Sequence, residues 1–274
     1  MGRSESKVKK SMPIAVTDSG IGGLSTLYHL ARLMPNEDFV YFGDSANNPY
    51  GTKDRELVRK IVFENAEKLM NMGTKAIVVA CNTATGVAVR ALRETYPDFT
   101  FVGIEPAIKP AALDKESPTV AIMATPLTLS QDKFRDLAKK YSKGATLLPI
   151  PCPGLADLIE KHGTYHSEIV KYVKKVFSSS DLENIDSVVL GCTHYALIED
   201  IIREALPKNV KIFDGSLGVA RETMRRLGVA GLLKENGGVG TVKVINTAVS
   251  DAPLFEVPAD DKDLVSKIIA GYNK

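Results

Sequence analysis

Two cysteines occupy matching places in two similar stretches of the sequence. Residues 77–83 read IVVACNT and residues 188–194 read VVLGCTH, so each apolar run ends in a small residue, a cysteine and a hydroxyl or amide residue. A helical pattern follows in both cases. Because a helix dipole and its free N–H groups stabilise negative charge, the start of a helix is a favourable place for a thiolate. The pattern therefore indicates that Cys81 and Cys192 are reactive thiols.

The free energy needed to form a thiolate can be compared with the stabilisation that a helix N-terminus provides. A free cysteine has a pKa of about 8.5, so forming its thiolate at pH 7 costs about 2 kcal/mol. A helix N-terminus with one or two hydrogen bonds offsets a free energy of that size. We therefore expect a modestly lowered thiol pKa, which suits a group that takes and gives a proton near neutral pH.

Other uses of the cysteines fit the spacing less well. Cys81, Cys192 and His194 could in principle converge on zinc, but paired C-x-x-C spacing is missing, and structural zinc sites have four close ligands. The same missing pair argues against a redox dithiol. Cys152 lies between two prolines and is interpreted as structural. We therefore expect no metal site. For His194 taken alone, a hydrogen bond at the start of a helix remains an alternative.

Two polar loops follow the first two apolar runs of the chain. Residues 18–23 read DSGIGG, and residues 43–51 read GDSANNPYG. Taken alone, DSGIGG is compatible with a tight strand-to-helix turn capped by Asp18 or Ser19, because it matches neither a dinucleotide fingerprint nor a P-loop. Ligands of open parallel sheets bind at the carboxyl ends of strands. Both loops are therefore candidates for the walls of a site that contains the cysteines.

The elements that must position these groups alternate along the chain. Short Val- and Ile-rich runs predict strands buried on both faces, and the amphipathic stretches between them predict helices. The predicted strands are 14–17, 39–42, 76–80, 100–104, 119–123, 146–149, 187–190, 211–213 and 242–247. The predicted helices are 23–33, 54–72, 86–96, 129–141, 154–160, 165–177, 196–206, 217–227 and 261–272. This alternation is typical of a doubly wound α/β fold.

The repeated cysteine pattern predicts that the fold is built twice. We expect two pseudo-symmetric, doubly wound parallel-sheet domains with the active site between them. The first domain would comprise residues 13–105 and 217–274, and would carry Asp18 and Cys81. The second would comprise residues 106–216 and would carry Cys192. Residues 1–12 are expected to form a disordered tail.

Composition and charge exclude several other classes of protein. Of 274 residues, 44% are hydrophobic and 25% are charged, which excludes a disordered or fibrous protein. The formal net charge of +2 is too small to predict a nucleic-acid or membrane partner. No apolar run approaches the roughly 20 residues that cross a bilayer, and three cysteines do not suggest a disulfide framework. We expect a cytoplasmic protein in a reducing compartment.

The polar clusters, taken together and in order, resemble the glutamate racemases of the cofactor-independent aspartate/glutamate racemase superfamily. The motifs are DSGIGGL at 18–24, YFGD at 41–44 with PYG at 49–51, CNTA at 81–84 and LGCTHY at 190–195. Residues 103–107 and 151–153 also look like family segments. The resemblance implies inversion at the α-carbon of glutamate without pyridoxal phosphate, metal or any other cofactor, with D-glutamate supplied for peptidoglycan. It also implies a homodimer.

The resemblance carries roles over to individual residues. Cys81 and Cys192 would stand on opposite faces of the substrate, one removing the α-proton as a thiolate and the other delivering a proton as a thiol. Asp18 would assist Cys81, His194 would assist Cys192, and Glu160 corresponds to an acid near the second cysteine. The amino and carboxylate groups of the substrate would be bound by Asp18, Ser19, Pro49, Tyr50, Gly51, Asn82, Thr83, Thr125, Thr193 and His194.

Two features depart from the family pattern, and two alternative functions stay open. Many relatives have a basic residue where Asn47 stands, and residues 242–258 differ from what the family's end leads one to expect, so no function is assigned there. The alternatives are a sister racemase that acts on aspartate or another amino acid, and a non-catalytic protein whose thiols line a small-anion pocket.

Overall fold

The computed structural model describes residues 8–178, 182, 184–235 and 237–272. Its strands are β1 (Ile14–Asp18), β2 (Phe39–Gly43), β3 (Ala76–Val79), β4 (Thr100–Gly103), β5 (Thr119–Ala124), β6 (Thr146–Pro151), β7 (Ser187–Leu190), β8 (Lys211–Asp214), β9 (Thr241–Asn246) and β10 (Phe255–Pro258). Its helices are α1 (Leu24–Leu33), α2 (Arg55–Asn71), α3 (Asn82–Ala84), α4 (Arg90–Thr95), α5 (Ile108–Ala112), α6 (Pro126–Ser130), α7 (Asp132–Tyr141), α8 (Leu155–His162), α9 (Ser167–Phe177), α10 (Thr193–Ala196), α11 (Glu199–Glu204), α12 (Ser216–Val229) and α13 (Leu264–Gly271). A π-helical segment, Thr85–Val89, joins α3 to α4.

The first sheet has six strands in the order β10-β9-β2-β1-β3-β4. All pairs are parallel except β10 with β9. Every residue of β1 is buried, because α1, α12 and α13 cover one face of the sheet while α2 and α4 cover the other. Burial on both faces explains why these strands are continuous apolar runs and do not alternate.

The second sheet repeats the arrangement of the first. Its four strands lie in the order β6-β5-β7-β8 and are all parallel. That order matches β2-β1-β3-β4, strand for strand. Helices α8, α9 and α11 pack on one face, and α5 and α7 pack on the other. The predicted pair of pseudo-symmetric, doubly wound parallel sheets is therefore confirmed.

The repeat places polar groups at equivalent strand ends. Asp18 ends β1 and Thr125 directly follows β5, the central strand of the other sheet. Cys81 and Cys192 each stand two residues beyond β3 and β7, which are also equivalent strands. In both sheets the connection changes direction between these two neighbouring strands, and such a switch point is where open α/β sheets bind ligands.

Several elements differ from the sequence expectation. Strand β10 and helix α5 were not predicted, and α5 contains Pro110, a residue that argues against a helix interior. The helix expected over 129–141 is two helices, because Gln131 is extended between them. Strand β6 includes Pro149 and Pro151, which it tolerates because it lies at the sheet edge.

The expected tail over residues 1–12 falls partly outside the described residues, which begin at Val8. Residues 10–11 form a turn, and the Lys10 carbonyl accepts a hydrogen bond from the buried Lys75 ammonium at 2.8 Å. The same ammonium binds the Glu37 carboxylate and the Leu232 carbonyl. Among the described residues, no helix is both long enough and apolar enough to cross a membrane.

Removing the N-cap of α2 should lower the stability of the fold. The Asp54 carboxylate accepts hydrogen bonds from the N–H groups of Glu56 (2.9 Å) and Leu57 (3.1 Å). We expect Asp54→Ala to reduce the free energy of unfolding by about 1 kcal/mol, whereas Asp54→Asn keeps most of it, since asparagine is also a good cap. Urea unfolding measures both variants. Equal losses for Ala and Asn would contradict the assignment.

Candidate active site

Cys81 and Cys192 both line one cavity between the two sheets. Its lining comprises Ser19, Asn48, Pro49, Tyr50, Gly51, Thr52, Cys81, Thr83, Thr125, Pro126, Cys152, Gly154, Ala156, Asp157, Cys192 and His194. The cavity volume is about 20 Å³, which is room for little more than one water molecule. The site is therefore almost closed in this structure.

The structure brings most of the predicted residues to this cavity or just behind it. Nine of them line it directly: Ser19, Pro49, Tyr50, Gly51, Cys81, Thr83, Thr125, Cys192 and His194. Asp18, Thr193 and Glu160 lie behind the wall and bind residues that form it or neighbour it. Asn82 instead lines a neighbouring small pocket with Gln131.

Cys81 sits where the sequence placed it, but its predicted pKa shift is wrong. The thiol caps α3, with its Sγ accepting the Ala84 N–H at 3.5 Å. Burial raises the pKa of the Cys81 thiol well above its ordinary value, and the charge of Asp18 raises it further. Hydrogen bonds from two backbone N–H groups lower it, but by less. The helix start stabilises a thiolate as expected, and desolvation outweighs it.

Cys192 has a different environment, formed by a histidine and an acid. Its Sγ lies 3.9 Å from His194 Nδ1, and His194 Nε2 lies 3.3 Å from Glu160 Oε2. Burial alone lowers the pKa of His194, but the hydrogen bonds to Cys192 and Glu160, together with the charges of both, raise the pKa well above 6.5. A charged imidazolium beside Sγ stabilises negative charge on sulfur.

Two acids connect the halves of the molecule around the thiols. Glu160, from the second sheet's helix α8, accepts the Ile21 N–H at 3.1 and 3.2 Å from its two carboxylate oxygens. Asp18 Oδ2 accepts the Thr193 hydroxyl at 3.0 Å, and Asp18 Oδ1 accepts the Gly20 N–H at 3.1 Å. Burial raises the pKa of Asp18. Asp18 was predicted to assist Cys81, and it also contacts the neighbour of Cys192.

Hydroxyl groups form the far wall of the cavity. Thr83 Oγ1 lies 3.1 Å from Thr125 Oγ1 and 3.0 Å from Thr128 Oγ1, so a side chain of the first half meets two of the second. Tyr50 is different, because its hydroxyl donates to Asp44 Oδ2 at 2.5 Å. The Tyr50 hydroxyl is thus already engaged outside the cavity.

Two of the three glycines of the DSGIGG loop, Gly20 and Gly22, are required by close approach between the halves. A Cβ added to Gly20 would lie 1.6 Å from Glu160 Oε1. A Cβ added to Gly22 would lie 2.5 Å from both His194 Nδ1 and Thr193 Oγ1. The interpretation of this loop as only a tight turn is therefore incomplete. Its glycines also leave room for Glu160 and His194 to pack against the loop.

Gly22→Ala should impair activity more than it impairs folding. The new methyl group overlaps the His194 ring and the Thr193 hydroxyl, so these groups must shift beside Cys192. We expect turnover to fall about tenfold, since small displacements of groups in an active site have effects of at least this size. Gly218→Ala in α12 is the matched control, because a Cβ there meets nothing within 4 Å. Steady-state rates and thermal unfolding measure both. Unchanged turnover in Gly22→Ala would contradict the described approach.

Seven of the lining residues were not predicted from the sequence as site residues, and two of them, Cys152 and Asp157, carry titratable groups. Cys152 borders the cavity, although its thiol donates to the Ile150 carbonyl at 3.5 Å, and burial raises its pKa to about 12. Asp157 Oδ1 is buried without a hydrogen-bond partner among the described residues, and burial raises the pKa of this acid. The available signal was the spacing of Asp157 and Glu160, three apart on α8 and so on one helix face.

A group of possible metal ligands lies in another place. His162, His166 and Glu168 hold ligand atoms within 4.8 Å of one another, and the two imidazole rings are stacked with centroids 4.1 Å apart. The lone pairs of two stacked imidazole rings point along parallel planes and do not converge on one point. In addition, His166 Nδ1 already accepts a hydrogen bond from the Glu168 N–H at 3.3 Å. We assign no metal site to this group.

Known proteins with similar sequences and folds are racemases. The family model described as Asp/Glu/Hydantoin racemase matches residues 31–223. A glutamate racemase of Clostridium botulinum (strain Loch Maree / Type A3) is 47% identical over 235 residues, which cover 86% of this chain and 91% of the relative.

Solved structures agree with the sequence match. The glutamate racemase of Francisella tularensis in complex with D-glutamate has a TM-score of 0.75 and 30% identity, covering 89% of this chain and 90% of that one. The Escherichia coli glutamate racemase in complex with L-glutamate and the activator UDP-MurNAc-Ala has a TM-score of 0.77 and 27% identity, covering 88% and 91%. The chain therefore belongs to the Asp/Glu/Hydantoin racemase family of isomerases, and the relatives that it matches over most of their length are glutamate racemases.

Proposed function

We propose that the protein interconverts L- and D-glutamate by proton transfer between two thiols, Cys81 and Cys192. The observation that carries this proposal is that the two thiols, from equivalent strand ends of opposing halves, line one cavity. Inversion at carbon in both directions needs a proton carrier on each face of the α-carbon, and two like groups from two like halves supply them. The glutamates bound to two of the relatives are opposite enantiomers of one amino acid.

The reaction proceeds in two proton transfers. A thiolate takes the α-proton, the C–H electron pair stays on the α-carbon, and the resulting carbanion is stabilised by the adjacent carboxylate. The opposite thiol then gives its proton to the other face of that carbon and becomes a thiolate. The two sulfurs have exchanged protonation states, and proton exchange with solvent restores the first state.

The raised pKa of Cys81 fits a base that forms only with substrate bound. In the empty cavity, burial and the Asp18 charge disfavour the thiolate. The substrate brings an ammonium group, and a positive charge beside a thiol and a carboxylate favours both anions. Asp18 accepts hydrogen bonds from Gly20 and Thr193 just behind the cavity wall, and we propose that it binds that ammonium once the halves separate.

On the other side of the cavity, Cys192 is paired with His194 and, through it, with Glu160. The imidazolium lies between sulfur and carboxylate, so it stabilises the thiolate without leaving its own charge unpaired. Since His194 is buried, this stabilisation acts in a poorly screened environment. Cys192 is thereby poised as the second proton carrier.

The substrate carboxylates would be bound by neutral donors. The cavity lining contains hydroxyls of Ser19, Thr83 and Thr125, and the described lining includes neither arginine nor lysine. Hydroxyl and backbone N–H donors at helix starts stabilise developing negative charge when they are fixed in place. Because the closed cavity is too small for an amino acid, we propose that the halves separate to admit substrate and close to exclude water.

The cellular role and organisation follow from the same proposal. We propose that the D-glutamate is used for peptidoglycan, which is supported by the activator UDP-MurNAc-Ala bound to the Escherichia coli relative. The domain limits 13–105 with 217–274 and 106–216, the cytoplasmic location and the homodimer are part of this proposal.

A substrate comparison tests the proposed function. Purified protein is incubated with L-glutamate, D-glutamate, L-aspartate or D-aspartate, and the enantiomers are separated by chiral chromatography. We expect both glutamates to racemise with kcat/KM at least about tenfold above the aspartates, since one methylene is worth about this factor in a fitted pocket. Preference for aspartate would make it a sister racemase. No racemisation by folded protein would leave a small-anion-binding protein.

A further inference from the structure

The end of the chain reaches the active site through its last helix. Tyr272 closes α13 and is buried, with its ring packed edge-on against Tyr41 at a centroid distance of 6.2 Å. Asn246 Nδ2 donates to the Tyr272 carbonyl at 2.8 Å, which fixes the backbone there. The Tyr272 hydroxyl lies 3.2 Å from Ser45 Oγ, in the loop after β2.

Ser45 continues this contact to the catalytic groups. Its hydroxyl donates to Glu160 Oε1 at 3.5 Å, and Glu160 Oε2 in turn lies 3.3 Å from His194 Nε2. We propose that Tyr272 is a positioning residue for the Cys192 side of the active site and acts through Ser45 and Glu160. The inference rests on the proposed racemase function and assigns a role to the C-terminal residues.

Gly43, at the end of β2, leaves space for the Tyr272 hydroxyl. A Cβ added to Gly43 would lie 1.5 Å from the Tyr272 hydroxyl oxygen and 2.9 Å from the Gly20 carbonyl. The absent side chain of Gly43 therefore admits the phenol beneath the loop that meets Glu160. The Ile21 N–H and the Ser45 hydroxyl both donate to the Glu160 carboxylate, and these contacts hold it facing His194.

A second contact, made by Thr247, supports the part of the cavity wall that contains Tyr50. The Thr247 hydroxyl donates to Asp44 Oδ1 at 2.9 Å and accepts the Ala46 N–H at 3.0 Å. Asp44 also accepts the hydroxyl of Tyr50, which lines the cavity. Residues 246–272 thus contact the loop that follows β2 at two places, through Tyr272 to Ser45 and through Thr247 to Asp44 and Ala46.

Tyr272→Phe tests the role, because it removes only the hydroxyl. Tyr96→Phe is the matched control, since it removes a hydroxyl that donates to Glu67 at 2.6 Å on the exposed surface. Ser45→Ala breaks the same connection from its other end, and the double variant completes a cycle. Turnover is measured in both directions with α-protonated and α-deuterated glutamate, alongside thermal unfolding.

We expect Tyr272→Phe and Ser45→Ala each to lower turnover about fivefold, and the double variant to be no slower than the slower single, since residues in one chain of contacts are non-additive. The α-deuterium isotope effect should rise when Cys192 is the base and fall when Cys192 is the acid, so the two directions diverge. A general loss of folding would change both directions alike.

Two results would overturn the inference while leaving the proposed function intact. One is turnover and isotope effects in Tyr272→Phe equal to those of Tyr96→Phe. The other is additive losses in the double variant with equal isotope effects in both directions. If the unaltered protein does not racemise glutamate, the proposed function itself fails, and the two failures are therefore distinguishable.

Discussion

Replacing either Cys81 or Cys192 by serine is expected to lower the turnover of glutamate by about 10³ in both directions, because a positioned proton carrier contributes a factor of this order. A serine hydroxyl loses its proton far less readily than a thiol at neutral pH. In the proposed mechanism each turnover uses one sulfur as base and the other as acid, so the rate falls in both directions. Chiral chromatography of both reactions measures the loss.

Cys152→Ser is the matched control for the two thiol variants. Its sulfur contacts the Ile150 carbonyl, and a serine hydroxyl can donate to the same oxygen. We expect Cys152→Ser to keep turnover within about threefold, in the range of a volume-neutral buried change. If Cys81→Ser or Cys192→Ser were as active as Cys152→Ser, the thiols would line the cavity without carrying protons.

Glu160→Gln is expected to lower turnover about 100-fold, since an acid that orients a catalytic histidine has effects of this order or larger. The change removes the charge that, with Cys192, keeps the pKa of His194 well above 6.5. That pKa then falls. The imidazolium is lost as pH rises through it, so the alkaline limb of the rate profile moves to lower pH in the variant.

Glu168→Gln provides the control for the loss of a carboxylate beside a histidine. Glu168 lies 3.6 Å from His162 Nε2 on the surface of the second half. Its replacement should leave the pH–rate profile unchanged between about pH 6 and about pH 10. This range covers the titration of histidine and cysteine side chains. An alkaline limb that stays in place in Glu160→Gln would contradict the assigned role.

The sequence predicted most strands and the positions of Cys81 and Cys192 at strand ends, because these signals are local. Buried runs such as Ile77 to Val79 are continuous, so they indicate parallel strands without knowledge of partners. The placement of Cys81 and Cys192 at strand ends follows directly. By contrast, β10 pairs antiparallel at the edge of the first sheet and alternates in burial, which is a weak pattern over four residues.

The features of the site that could not be predicted from the sequence depend on contacts between segments far apart in the chain. Desolvation of Cys81 is set by the packing of both halves, and it reversed the pKa shift expected from the helix alone. The need for glycine at position 22 comes from His194, far along the chain. Tyr272 has no motif, and only the fold brings it to Ser45. Glu160 was predicted as a site residue from the resemblance to the racemase family, since its position in the sequence pattern did not identify it.

Isotope incorporation from solvent tests the two-thiol account most directly. Metal-free and pyridoxal-free protein is incubated with L-glutamate in deuterated water, and both enantiomers are analysed for α-deuterium at early times. If the two thiols carry the protons, the D-glutamate formed carries one α-deuterium, delivered by the opposite thiol, while the remaining L-glutamate keeps its α-proton. D-glutamate that retains the original α-proton, or absence of both deuterium and D-glutamate with folded protein, would contradict it.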